Sequence, residues 1–286
     1  MIDTGNPGMS SFNELKSKLS DNGLHLQDFD SIILSHMHTD HSGGVSEIQK
    51  EAALPVYVHE KAKYAITGGK TEFNRTNEFF YSFMQQCGVR PEGHQPARKY
   101  KEEIWHDVIY VKDGDVIPIA GINFEVLYVP GHSQTDILLW NPETGDTIAG
   151  DHLIADFSVN AFIEPPPYRE EERPKSLLQY RASLDRVKTL PFGTIYPGHG
   201  EPFTNHAGLI EKRFLEQENR CVQIQNALET GEKTVYELCK LIYPRLQGNT
   251  VFLGLSQIQG HLDLMESRYQ VAASYQGPIC YYKLIK

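Results

Sequence analysis

The sequence predicts a mixed α/β domain over residues 1–204, followed by a smaller, mainly helical domain over residues 205–286. Three observations carry this expectation. Up to about residue 204, short apolar runs alternate with Gly/Pro turns and amphipathic stretches, the mark of strands and helices in succession. From about residue 206 the pattern lengthens into helical periodicity and closes on one strand-like run. A chain of 286 residues, 40% hydrophobic and 22% charged, is also long enough for one large core and a satellite.

Taken in order, a helix is expected over 12–19 and a buried-type strand over 31–34, in Ser31-Ile32-Ile33-Leu34. A helix over 44–51 opens at Gly44, and a strand follows over 55–58. The stretch 72–87 reads as a helix with Phe73, Phe79, Phe80, Tyr81, Phe83 and Met84, first as a satellite core packed on the C-terminal helices and second as an apolar lid. Strands are expected over 116–119, 124–129, 137–140 and 147–149, the last two joined by the turn Asn141-Pro142-Glu143-Thr144-Gly145-Asp146. The loop 160–168, rich in proline and aromatic residues, is a candidate pocket wall, and structural use explains it equally well. A helix over 177–190 and a strand over 194–196 complete the first domain. Beyond it lie a helix over 207–229 that ends before Gly231, and a helix running to Ile242 that is capped by Thr234 and stopped before Pro244. A third helix over 255–273 and a strand over 279–284 then give the outline of a small winged-helix unit.

Charge and cysteine usage narrow the function classes. The formal charge of −10 leaves no surface-wide field to gather nucleic acid. Residues 205–286 hold nine Lys/Arg and eight Asp/Glu, and the stretch 256–270 sets Arg268 against Asp263 and Glu266. A DNA-reading helix needs positive charge beside the phosphates, so a nucleic-acid partner is disfavoured. Cys87, Cys221, Cys239 and Cys280 lie far apart without paired metal-ligand spacing, which reads as reduced thiols in a cytoplasmic protein. No apolar stretch is long enough to span a bilayer, and the first eight residues lack the regions of a signal peptide.

The chemistry concentrates at His36-Met37-His38-Thr39-Asp40-His41, between the strand 31–34 and a helix opened by Ser42-Gly43-Gly44. Imidazole and carboxylate are preferred ligands of first-row metals, and a strand-to-helix turn lets such side chains converge. The pattern of strand followed by ligand recurs at His132 in Val129-Pro130-Gly131-His132, at Asp151 in Ala149-Gly150-Asp151-His152, and at His199 in Tyr196-Pro197-Gly198-His199. Small or rigid residues before each one allow a sharp turn inward. Four such loops at one end of a sheet would form a site.

On these motifs the chain resembles the metallo-β-lactamase superfamily, whose His-x-His-x-Asp-His motif is followed by isolated His, Asp and His ligands in this order. The resemblance covers about residues 1–204 and implies an α+β fold, an αββα sandwich. It implies that His36, His38 and His132 hold one metal, that Asp40, His41 and His199 hold a second, and that Asp151 bridges both. The cofactors implied are two divalent ions, zinc first, with manganese or iron also accepted by these donors. Asp40 and Asp151 would be the catalytic carboxylates: a hydroxide bridging the metals attacks, and Asp40 orients it or relays a proton. Asp3, in Ile2-Asp3-Thr4-Gly5, matches a family position that supports the site without ligating, although an ordinary turn-opening Asp explains it as well. His152 lies outside the ligand set and is expected to pack.

The appended C-terminal unit and the Gly150-Asp151-His152-Leu153 phrase resemble the glyoxalase-II-like branch with a winged-helix domain. The function implied is hydrolysis of a small ester, thioester or lactone; the alternatives are a phosphodiesterase or ribonuclease and a mono-iron sulfur oxidoreductase. Two departures accompany the resemblance. Relatives carry strands upstream of the Asp-Thr-Gly turn, so the sandwich is expected to lack its first strands here, and a homodimer is one way to cover the resulting edge. Ser133-Gln134-Thr135-Asp136 also replaces the Gly-containing run that usually follows the isolated histidine, and the basic glutathione-binding pattern of glyoxalase II is not recognisable.

Overall fold

The computed structural model describes residues 1–89 and 99–285. In chain order its elements are α1 (Met9–Asp21), β1 (Ile32–Ile33), α2 (Thr39–Ser42), α3 (Val45–Glu51), β2 (Val56–His59), α4 (Lys63–Thr67), α5 (Gly69–Gln86) and β3 (Val108–Val111). There follow β4 (Val116–Ile119), β5 (Ile122–Tyr128), β6 (Ile137–Trp140), β7 (Thr147–Gly150), α6 (Ser176–Val187) and β8 (Ile195–Pro197). The chain ends with α7 (His206–Leu228), β9 (Lys233–Thr234), α8 (Val235–Ile242), α9 (Val251–Ser267), β10 (Val271–Gln276) and β11 (Ile279–Leu284).

Two compact units emerge, and they do not follow a single cut in the chain: the first gathers 1–69, 101–159 and 190–206, the second 70–100, 160–189 and 207–286. In the first unit, β1-β2-β3 form a parallel sheet and β4-β5-β6-β7-β8 a second, antiparallel except for its β7–β8 pair. Side chains alternate across a strand, and the burial follows that rule. Ile32 and Leu34 pack with Phe12 of α1, Val45 and Ile48 of α3, and Val56 and Val58 of β2, which builds a helix-on-sheet core. Ile33 faces the other way and joins Val111, Ile117, Val126, Ile137 and Leu139 between the sheets. Met1 O accepts from Ile33 N and Asp3 N donates to Ile33 O, both at 2.9 Å, so the first residues run beside β1.

The second unit is built on α9, which is buried nearly all round, as a central helix must be. Phe80 and Phe83 of α5 set their rings edge-on to Phe252 at 5.3 and 6.1 Å, and Cys87 O accepts from Tyr236 N at 2.9 Å. The aromatic stretch therefore packs on the C-terminal helices. The loop 160–168 belongs to this unit as well: Ile163 N donates to Ser256 Oγ at 3.3 Å and Arg75 Nη2 to Pro166 O at 3.0 Å. Thr234 caps α8 as expected, its Oγ1 accepting from Glu237 N at 3.1 Å while Glu237 Oε2 accepts from Thr234 N at 2.8 Å.

Two element expectations are corrected. The helix expected over 255–273 ends at Ser267; Tyr269 takes a left-handed φ of 58°, and residues from Val271 pair with β11 as a hairpin. A strand not anticipated, β3, pairs parallel with β2. No helix among the described residues is long and apolar enough to cross a membrane.

Candidate metal centre

Residues leading into α2 are extended, so His36 and His38, two apart, emerge on the same side. The chain then turns into α2, which brings Asp40 and His41 round to the same region. β5 leads through Pro130-Gly131 to His132, β7 directly to Asp151, and β8 through Gly198 to His199. The four segments leave two sheets and not one, because β1 belongs to the three-stranded sheet and β5, β7 and β8 to the five-stranded sheet. Ile137 N donates to Ser35 O at 2.9 Å and ties the two together at this end. Two glycines are there for close approach. At Gly150 (φ 47°) a Cβ would lie 2.7 Å from Ser35 Cβ, and at Gly198 one would lie 2.5 Å from Asp151 Oδ1 and 2.8 Å from His41 Cε1.

All the expected side chains meet. Ligating atoms of His36, His38 and His132 lie within 4.8 Å of one another, as do those of Asp40, His41 and His199, and those of His36, His41 and Asp151. Asp151 sits between the first two groups: Oδ2 is 3.5 Å from His132 Nε2, and Oδ1 is 3.3 Å from His41 Nε2 and 3.6 Å from His199 Nε2. Asp40 Oδ2 is 3.4 Å from His199 Nε2.

The electrostatics are those of a cation site. Burial and the surrounding imidazoles hold His36 well below the usual imidazole range, so it is a neutral donor. Burial alone would also lower His41, but the Asp151 carboxylate, 3.3 Å from Nε2, and the hydrogen bond to Asp3 outweigh it and lift the group to about 10. Burial pushes the Asp151 carboxyl up, and the imidazoles of His41, His132 and His199 more than offset that, leaving it below its usual value. Without a metal, His41 is therefore held as the imidazolium, with Nδ1 facing Asp3 and Nε2 facing Asp151. His36 Nε2 is buried with no hydrogen-bond partner among the described residues, a costly state unless a cation takes it. The imidazole and carboxylate donors fit a first-row divalent ion.

Asp3 lies behind this set, with Oδ2 accepting from His41 Nδ1 at 2.8 Å. Two contributors were not singled out in the sequence. Ser35 Oγ lies 3.0 Å from His36 Nδ1, and the buried Asp136 places Oδ1 at 3.7 Å from the same nitrogen while Oδ2 accepts from Ser133 N at 3.0 Å. A hydroxyl residue directly before the first histidine was the available signal for Ser35. His152 is fully buried, and burial lowers it to about 3, which keeps it neutral in the packing. An open cleft of about 800 Å³ adjoins Asp40, His41 and His199, and the Phe157 ring stands 6.5 Å from that of His199.

Comparison with known proteins agrees with this geometry. A family profile described as Metallo-beta-lactamase superfamily matches residues 1–199. A relative from Bacillus subtilis (strain 168), "Probable metallo-hydrolase YqjP", is 27% identical over 290 residues, covering 100% of this chain and 90% of that protein. A hydroxyacylglutathione hydrolase of Gloeothece citriformis (strain PCC 7424) is 28% identical over 153 residues, 50% of this chain and 55% of that protein. The solved structure of a metallo-beta-lactamase family protein from Thermus thermophilus superposes with a TM-score of 0.81 at 23% identity, covering 99% of this chain and 89% of the other. That last likeness is one of fold.

Proposed function

The chain belongs to the metallo-beta-lactamase superfamily, and from that premise we propose that it hydrolyses a small ester, thioester or lactone at a pair of divalent cations. One observation carries the reading: the two oxygens of Asp151 face different histidine groups, His132 on one side and His41 with His199 on the other. A carboxylate shared by two ions needs that arrangement. His36, His38 and His132 would hold one ion and Asp40, His41 and His199 the other, with zinc the best match to an imidazole-rich set. When bound, such a pair lowers the pKa of a water towards about 7 and polarises the carbonyl under attack.

The side chains supply the rest. Asp151 spans the two groups and fixes their separation. Asp40, partly exposed and within reach of His199, faces the open cleft; it orients the attacking water and takes up its proton. His199, partly exposed, lines the same cleft beside Asp40. The name of the Gloeothece citriformis relative makes thioesters the first class to assay. No dedicated Ser or Cys nucleophile is needed.

Elemental analysis of freshly purified protein, followed by a panel of thioesters, lactones and phosphodiesters, tests the proposal. Two divalent ions per chain with turnover of a thioester or lactone is the expected result. One iron per chain with oxygen consumption would replace it by an oxidoreductase, and metal-dependent RNA cleavage alone by a ribonuclease.

A further inference from the structure

Behind the donor groups, the polar contacts close through one serine. Asp3 Oδ2 accepts from His41 Nδ1 and from Ser35 Oγ, each at 2.8 Å, and Asp3 Oδ1 accepts from Ser35 N at 2.8 Å. An ionised carboxylate only accepts, and a hydroxyl has a single proton to give. With that proton committed to Asp3, Ser35 Oγ offers only lone pairs to His36 Nδ1, 3.0 Å away. His36 Nδ1 is then the donor. Its proton sits on Nδ1 and leaves Nε2 bare, the nitrogen that is buried without a hydrogen-bond partner among the described residues.

Ser35 has little room to do otherwise. It is buried, and Gly150 passes so near that a Cβ there would lie 2.7 and 2.8 Å from Ser35 Cβ and Oγ. Asp136 Oδ1, at 3.7 Å from His36 Nδ1, is beyond hydrogen-bond distance and does not duplicate the contact.

We infer that Ser35 is a positioning residue for His36, and that the Asp3–Ser35 pair joins the two halves of the centre by orienting one histidine of each. Asp3 acts on His41 directly and on His36 through the Ser35 hydroxyl. The inference rests on the two-ion reading given under Proposed function. Its consequence is asymmetric: loss of the hydroxyl loosens the His36, His38 and His132 group alone, whereas loss of the Asp3 charge loosens both groups.

The test is a zinc titration of metal-free protein against a chromophoric chelator, using wild type, Ser35→Ala, Ser35→Thr and Asp3→Asn, with thermal melts of the metal-free forms to establish folding. In Ser35→Ala one of the two dissociation constants should rise about 10- to 100-fold and the other by less than about threefold, as for loss of a group that orients a ligand. Ser35→Thr keeps the hydroxyl and should restore the tight constant; Asp3→Asn should raise both constants by about tenfold or more. Nitrogen NMR of the metal-free protein should find the His36 proton on Nδ1 in wild type and shared between both ring nitrogens in Ser35→Ala. If Ser35→Ala does not fold, Ser35→Cys makes the same comparison, since a thiol is a weak hydrogen-bond partner. Wild type that binds two zinc ions while Ser35→Ala matches it, or loses both affinities equally, overturns the role of Ser35 alone. Wild type that binds no zinc overturns the two-ion reading and this inference with it.

Discussion

Both units bury charge, and they do so in opposite ways. In the second unit, Arg173 Nη1 and Nη2 donate to the two oxygens of Asp263 at 2.8 Å each, and Gln259 Nε2 donates to Asp263 Oδ1 and to Tyr282 Oη at 2.9 Å each. That network closes on itself: cation, carboxylate, amide and phenol satisfy one another. In the first unit, His36, His41 and Asp151 gather around shared points, and His36 Nε2 is left over. Closed buried polarity holds a fold; open buried polarity aimed at a common point awaits a ligand.

The comparison can be broken by mutation, beginning with the largest effect. Asp151→Ala should remove the group shared by both halves, reduce metal content below one ion per chain, and lower hydrolysis by about 10³-fold or more, roughly 4 kcal/mol of transition-state stabilisation. Full metal content in this variant would end the claim that Asp151 is shared by the two halves. Asp263→Ala should do the reverse. It leaves a partly buried guanidinium without its carboxylate and costs about 2 kcal/mol in denaturant unfolding, below the cost at a fully buried pair, yet metal content per folded chain should be unchanged. A loss of metal there would mean that the closed network is not merely structural.

The next effect is one of pH. The metal-free pKa of His41, about 10, lies above its ordinary value, so the stability it contributes is complete below about pH 6.5. That contribution fades as pH rises towards 10. The melting temperature of metal-free protein should therefore fall across this window, and His41→Gln should lack that component. Zinc loading at pH 8 should expel the His41 proton, about one per chain, seen as a dependence of binding enthalpy on buffer ionisation. The smallest effect lies in the second unit. Thr234→Ala removes the cap of α8 and should cost about 1 kcal/mol, with metal content and hydrolysis untouched.

Much of the scaffold was legible where short apolar runs stand between strong turns: β4 and β6 fall on 116–119 and 137–140, as expected. β3 is not legible although Val108-Ile109-Tyr110-Val111 has the composition of a strand, because a short run only half buried shows little periodicity. The overrun of α9 has a similar cause. Ala272 and Ala273 suit a helix, and the reversal at Tyr269 depends on the pairing of Val271–Gln276 with β11. A single boundary at 204/205 does not match the two units, because 70–89 and 160–189 cluster with residues after 207 through contacts distant in sequence.

By itself the sequence determined the donor types, their order, and the glycine and proline residues that turn His132, Asp151 and His199 inward, because these are local properties of strand ends. Tertiary structure decided which donors share a point, that Asp151 looks both ways, that two sheets and not one contribute, and that a serine behind His36 selects its bare nitrogen. Distances between residues far apart along the chain, and the single proton of a hydroxyl with two neighbours, exist only once the chain has folded.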